Sequence, residues 1–143
     1  EEVCSRYEMA LENYGKRIAI EAHTMLEMTD KQIIPAIITY SRDIARAANE
    51  KKAFLPDLDL SCEEKRLRRL TELLNLIAKA SERMDSLLSH VPQDVEILQK
   101  ALYYRDQVFA LMQSLRASVD EAETMVDKAI WPFPDYGDLL ITK

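Results

Sequence analysis

The chain has 143 residues, a formal net charge of −6, and is 48% hydrophobic and 31% charged; these values exclude an intrinsically disordered segment and fit one domain with its own core. Only two glycines are present, Gly15 and Gly137, which excludes the Gly-rich phosphate-binding turns of Rossmann and P-loop folds and disfavours a turn-rich barrel or sandwich. The acidic balance makes the chain a poor generic binder of nucleic acid or anionic membrane.

The first segment reads as helix over 3–53. Tyr7, Leu11, Tyr14, Ile18, Ala22 and Met25 recur at spacings of three and four, the helical period. Ile33, Ile37, Tyr40, Ile44 and Ala47 continue the stripe after a phase shift. Pro35 sits inside it, and an interior proline removes one backbone hydrogen bond and crowds the preceding turn. A kink or short break near 30–35 is therefore expected. Residues 51–60 read as a connection whose alternating apolar residues lie over the molecular surface. Ser61-Cys62-Glu63-Glu64 has the form of a capping box, with Ser61 and Glu64 as its members.

The second helix is expected over 62–89. Leu67, Leu70, Leu74, Ile77, Met84, Leu88 and Val91 hold the rhythm, Ser81 fills the missing slot, and Leu73, Ala80 and Leu87 widen the stripe. That width suits a helix touching two neighbours. A turn at 89–92 follows, with Pro92 at the first position of a third helix over 92–129. Its seams are Val95, Leu98, Leu102, Phe109, Met112, Val119, Ala122 and Val126, and beside them Tyr104, Val108, Leu111 and Leu115. The expected fold class is all-α. Its architecture is an elongated antiparallel bundle of three long helices, the first kinked near Pro35, forming a single domain over 1–143.

The ending differs in kind. Trp131-Pro132-Phe133-Pro134-Asp135-Tyr136-Gly137-Asp138-Leu139-Leu140 holds the only tryptophan, and its prolines force extended backbone. Residues 130–143 are expected to form an extended tail that packs on its own bundle or docks on another domain or subunit. Trp131, Phe133, Tyr136, Leu139 and Leu140 are its candidate docking residues. Arg105 and Asp106 join them, because Arg105 falls on the apolar seam between Leu102 and Phe109 and a charge there needs a partner or an exit. Arg17, Glu21, Arg42 and Asp43 are the candidate partners across the bundle.

Catalytic chemistry is hard to find. The Glu-x-x-His pairs of carboxylate metal bundles are absent, since Ile20 and Leu87 stand three residues before His23 and His90. His23 lies one turn from Glu27, which is too little for a metal site. Cys4 and Cys62 have no neighbouring histidine base in sequence, so no catalytic, cofactor-binding or metal-ligating residue is assigned. Tyr103-Tyr104 reads as core or boundary rather than a stacking platform, and the methionines read as core filler. Both cysteines read as free thiols of a reducing compartment. No apolar run approaches a membrane span and the N-terminus is no signal peptide. A cytoplasmic chain, cut or processed from a longer one, is the expectation.

Three stretches carry a resemblance. They are Leu11-Glu12-Asn13-Tyr14-Gly15-Lys16-Arg17-Ile18-Ala19-Ile20-Glu21-Ala22 with Ile33-Ile34-Pro35-Ala36 and Tyr40, then Ala101-Leu102-Tyr103-Tyr104-Arg105-Asp106, then the ending from Trp131 to Leu140. Together they resemble the C-terminal region of class III glutamine synthetases; residues 54–91 add little. The resemblance implies a parent enzyme that joins ammonia to glutamate using ATP and Mg²⁺ or Mn²⁺. It also implies partners in the upstream catalytic domain and in neighbouring subunits of a ring homo-oligomer. No catalytic motif of that family is matched here, so the chain is read as its non-catalytic helical domain. The competing reading is an independent helical adaptor or sensor that binds a partner protein.

Overall fold

The computed structural model describes residues 2–134, and no strand occurs among the described residues. Helix α1 (Glu2–Met28) passes through a π-helical turn at Thr29–Ile33 into α2 (Ile34–Phe54). Helix α3 (Ser61–Ser89) follows. The last stretch is α4 (Ile97–Tyr103), a second π-helical turn at Tyr104–Phe109, and α5 (Ala110–Met125). The expected all-α class with three long helical stretches is what the chain adopts.

Helix α3 makes contact with α1, α2 and α5, as its wide stripe requires. Leu70, Leu73, Ile77, Ser81 and Met84 are buried along it. Polar cross-links fix the neighbours. Arg66 Nη1 donates to the Tyr40 hydroxyl at 2.9 Å, and Ser81 Oγ donates to Asp30 Oδ1 at 2.6 Å. On the other flank Arg69 donates to both carboxylate oxygens of Glu121 at 2.7 and 2.8 Å, and the Tyr103 hydroxyl donates to the Leu87 carbonyl at 2.8 Å. Numbers rise on one helix as they fall on its neighbour.

The core has two centres. One gathers Ile33, Ile37, Leu70, Ile77, Leu115 and Trp131; the other gathers Ile18, Ala22, Met84, Tyr104, Val108 and Met112. Met25 packs against both. A flexible, unbranched side chain suits that junction, because it can fill the irregular space between two packing centres.

The expected break near Pro35 takes another form. The chain stays helical, with right-handed dihedrals at Met28, Ile33 and Ile34, and the Ile34 N–H reaches five residues back to the Thr29 carbonyl. Pro35 then stands at the start of α2, where its missing N–H costs least. The phase shift seen in the sequence is this inserted residue.

Five other expectations need correction. Helix α3 begins at Ser61 without a capping box: no side chain caps it from Leu60, and Asp59 Oδ1 accepts the Ser61 N–H at 3.0 Å. Lys51 pairs with Glu63 across the connection. Helix α2 runs on to Phe54, and the apolar residues of the connection stay exposed, Phe54 at 84%, Leu55 at 52% and Leu58 at 41%. Pro92 does not open a helix, since residues 91–96 are irregular and α4 starts only at Ile97. Val95 and Leu98 stay exposed rather than packing in the seam. Finally, α5 ends at Met125, ahead of the prolines, where Val126 turns extended.

Gly15 marks where α1 meets the second π-helical turn. A Cβ there would lie 3.0 Å from Tyr104 Cδ2 and 3.2 Å from Cε2. The Tyr104 ring is buried and stands edge-on to Tyr103, with centroids 6.1 Å apart, so it has little room to retreat. Alanine would gain about 1 kcal/mol of helix propensity but meet an overpacking cost of roughly 1–3 kcal/mol. Gly15→Ala is expected to destabilise the wild type and to stabilise a Tyr104→Leu background. Urea midpoints around this double-mutant cycle check it, and an equal effect in both backgrounds would contradict the contact.

Candidate functional site

The candidate docking residues divide into two places. Arg105 and Asp106 lie in the second π-helical turn. In that turn Tyr104 and Val108 reach the core while residues 105–107 face solvent. Arg105 therefore leaves the seam on which simple periodicity places it. Its Nε donates to Asp106 Oδ1 at 2.7 Å, with both side chains more than half exposed. The other proposed partners are taken locally: Arg17 sits 3.8 Å from Glu21, and Arg42 sits 3.2 Å from Asp43. The Arg105 guanidinium holds the Asp106 carboxyl below the usual range. An exposed pair of neighbours contributes little to stability, so this one is surface chemistry rather than a core lock.

Trp131 and Phe133 are elsewhere. After α5, Asp127 organises a tight turn: its carboxylate accepts the Ala129 N–H at 2.8 Å, and its carbonyl accepts the N–H groups of Ile130 and Trp131 at 2.9 Å each. The turn sends Trp131 back into the core of its own chain, where it is 8% exposed. Phe133 stands edge-on to it at 6.3 Å between centroids and is half-buried. The first part of the tail thus packs on its own helices. Tyr136, Leu139 and Leu140 lie outside the described residues.

Trp131 and Phe133 form one end of a groove of about 880 Å³ that sequence reasoning missed. Met25, Met28 and Thr29 line it from the first helical stretch, and Phe109, Met112 and Val119 from the last. It therefore touches both π-helical turns. Two polar atoms of this wall are buried without a hydrogen-bond partner, Thr29 Oγ1 and Trp131 Nε1. Leaving a buried donor unpaired costs roughly 1–3 kcal/mol. The only sequence signal for the groove was the phase shift at Thr29–Ile33, since widened turns favour functional positions. A second hollow of about 630 Å³ lies between α1 and the start of α4, around Gly15 and Tyr104.

Among the described residues, no group of three or more His, Cys, Asp and Glu side chains is placed to hold a metal ion. His23 is exposed, and His90 Nδ1 lies 2.8 Å from the Ser86 carbonyl oxygen. Both cysteines are free and exposed. Among the described residues, no helix is long and apolar enough to cross a membrane.

Comparison with known proteins supplies what the side chains do not. Residues 1–52 match the glutamine synthetase C-terminal domain family. A glutamine synthetase of Butyrivibrio fibrisolvens is 35% identical over 149 aligned positions, covering 99% of this chain and 20% of that protein. Over residues 1–52 the chain is similar to the glutamine synthetase C-terminal domain family. A type-3 glutamine synthetase of Dictyostelium discoideum and a glutamine synthetase of Bacteroides fragilis are each 24% identical, again over 99% of the chain and 20% of the relative. The chain spans about a fifth of the length of these relatives. No solved structure matches it.

Two outcomes follow from this geometry. Thr29→Val keeps the branched shape and removes the orphaned hydroxyl, so it is expected to stabilise the chain by about 1 kcal/mol; a calorimetric midpoint at or below wild type would show that the hydroxyl is paired. The second outcome concerns Tyr103 and Tyr104, whose hydroxyls burial pushes above the ordinary tyrosine range. A folded pKa above the unfolded one gives stability that is complete below about pH 10 and lost as pH climbs through the folded value. Thermal midpoints measured from pH 8 to 11.5 are expected to fall above about pH 10, and less steeply in Tyr103→Phe/Tyr104→Phe.

Proposed function

We propose that this chain is the helical C-terminal portion of a class III glutamine synthetase. In that reading it is a structural element that packs against the catalytic region and neighbouring subunits, and it contributes no catalytic group. The observation that carries the proposal is the alignment with a glutamine synthetase over 99% of this chain but 20% of the relative. The parent reaction would join ammonia to glutamate at the expense of ATP, with Mg²⁺ or Mn²⁺ bound outside this chain, in a cytoplasmic ring of identical subunits.

A packing role also agrees with the surface. Phe54, Leu55 and Leu58 form an exposed apolar tip between α2 and α3. The Lys51–Glu63 pair spans the base of that tip. Apolar side chains gathered at an exposed tip mark contact surfaces more often than chance. Trp131 is committed to its own core, so it serves docking by holding the last helix in place rather than by reaching out.

The proposal is tested with the isolated chain and with the intact enzyme. The isolated chain, given glutamate, ammonia, ATP and Mg²⁺, is expected to release no phosphate. Phe54→Ser/Leu58→Ser is expected to leave the melting of the isolated chain unchanged and to weaken subunit assembly of the intact enzyme in sedimentation. Metal-dependent turnover by the isolated chain would sink the non-catalytic reading, and unaltered assembly would remove the tip from the interface.

A further inference from the structure

We propose that the groove between α1 and α5 is the seat of the chain's own ending, with Tyr136, Leu139 and Leu140 laid over Met112, Phe109 and Ile20. The proposal stands whether or not the parent is a glutamine synthetase. It starts from where the described chain leaves off. Trp131 and Phe133 belong to one end of the groove, where they pack with Ile33 and Val119 in the first core centre. The groove then runs toward the second centre, past Met112 to Phe109. Residues 135–143 therefore follow directly from its mouth.

Length, apolar surface and charge agree on this occupant. From Val119 to Phe109 the wall is about 15 Å long at the helical rise. The segment from Phe133 to Leu140 spans up to about 23 Å when extended, which is enough to cover it. At the far end Ile20 is 68% exposed, and Phe109 is only half-buried. The segment brings Tyr136, Leu139, Leu140 and Ile141, and removing both sets of apolar surface from water drives them together. Arg116 lines the groove midway and has no ion-pair partner among the described residues. Asp135 and Asp138 bracket Tyr136 and supply carboxylates for it. Of the groove's own carboxylates, Glu21 faces Arg17, and Asp120 and Glu123 are exposed, where salt screens them. A segment tethered at the mouth also meets the groove at roughly millimolar effective concentration, an advantage that a free partner or a second copy lacks.

The test uses the 143-residue chain with Cys4→Ser and Cys62→Ser, a nitroxide on Ile141→Cys, and ¹³C-methyl methionines. The Met112 methyl signal is expected to be lost while the nitroxide is paramagnetic and to return on its reduction. With Tyr136→Ser/Leu139→Ser/Leu140→Ser added, most of that signal is expected to survive, because the tether remains and the apolar anchors do not. Ile20→Ser changes only the exposed end of the groove and is expected to restore part of the signal. Thermal melts establish that every variant is folded. The proposal falls if Met112 keeps its signal, if the serine tail broadens it as strongly, or if folded Ile20→Ser changes nothing. It falls equally if the loss persists when nitroxide and ¹³C label sit on different copies, which would assign the groove to a second molecule.

Discussion

The apolar face of α3 is wider than one neighbour can cover, and it must be covered along its whole length. Leu70, Leu73 and Ile77 close one core centre, and Met84 closes the other. The flanking stretches must therefore keep their own stripes aimed at α3 over many turns. An ideal α-helix drifts against any fixed repeat, so long helices need a means of correcting phase. Here each flanking stretch does so once, by a π-helical turn. One brings Thr29 and Ile33 inward, and the other brings Tyr104 and Val108 inward while rotating Arg105 out.

Phase correction has local consequences. Widening a helix by one residue disturbs the ordinary pairing of side chains with the turn above. Thr24 and Thr71 stand in plain α-helix, and each hydroxyl donates to the carbonyl four residues back. Thr29, inside the widened turn, does not. The same device that keeps the core in register thus leaves a buried hydroxyl unpaired beside a groove. The Asp127 turn adds the second orphan by folding Trp131 into the core at a place where its ring is covered and its N–H is not matched.

Much of the fold was legible in the sequence because burial against α3 imposes a periodicity that one chain must carry openly. Every residue placed on the α3 stripe, from Leu67 to Leu88, is buried or half-buried. What stayed hidden were events governed by single backbone hydrogen bonds. The phase shift before Pro35 was visible, but its form, a widened turn rather than a break, depends on the Ile34 N–H finding Thr29. Arg105 was misplaced on the seam for the same reason, since no residue type announces a π-helical turn. The start of the third stretch differs because Pro92 permits a helix start without requiring one, and Val95 and Leu98 stay exposed. The groove depends on two such turns meeting a folded-back tail, so no local pattern could have shown it.

The same geometry sets what the ionised side chains do. Catalysis needs ionisable groups drawn together and partly desolvated, so that their pKa values are pushed apart. Here the ion pairs are local or bridge neighbouring helices at the surface, and the carboxylates beside cations are held low, as with Glu121 beside Arg69 and Glu63 beside Lys51. Such groups remain charged at neutral pH and neither take up nor release protons there. Their arrangement aligns helices instead: Arg69 reaches from α3 to Glu121 on α5, and Lys51 reaches from α2 to Glu63 on α3. These ion pairs thus set the mutual position of the long helices.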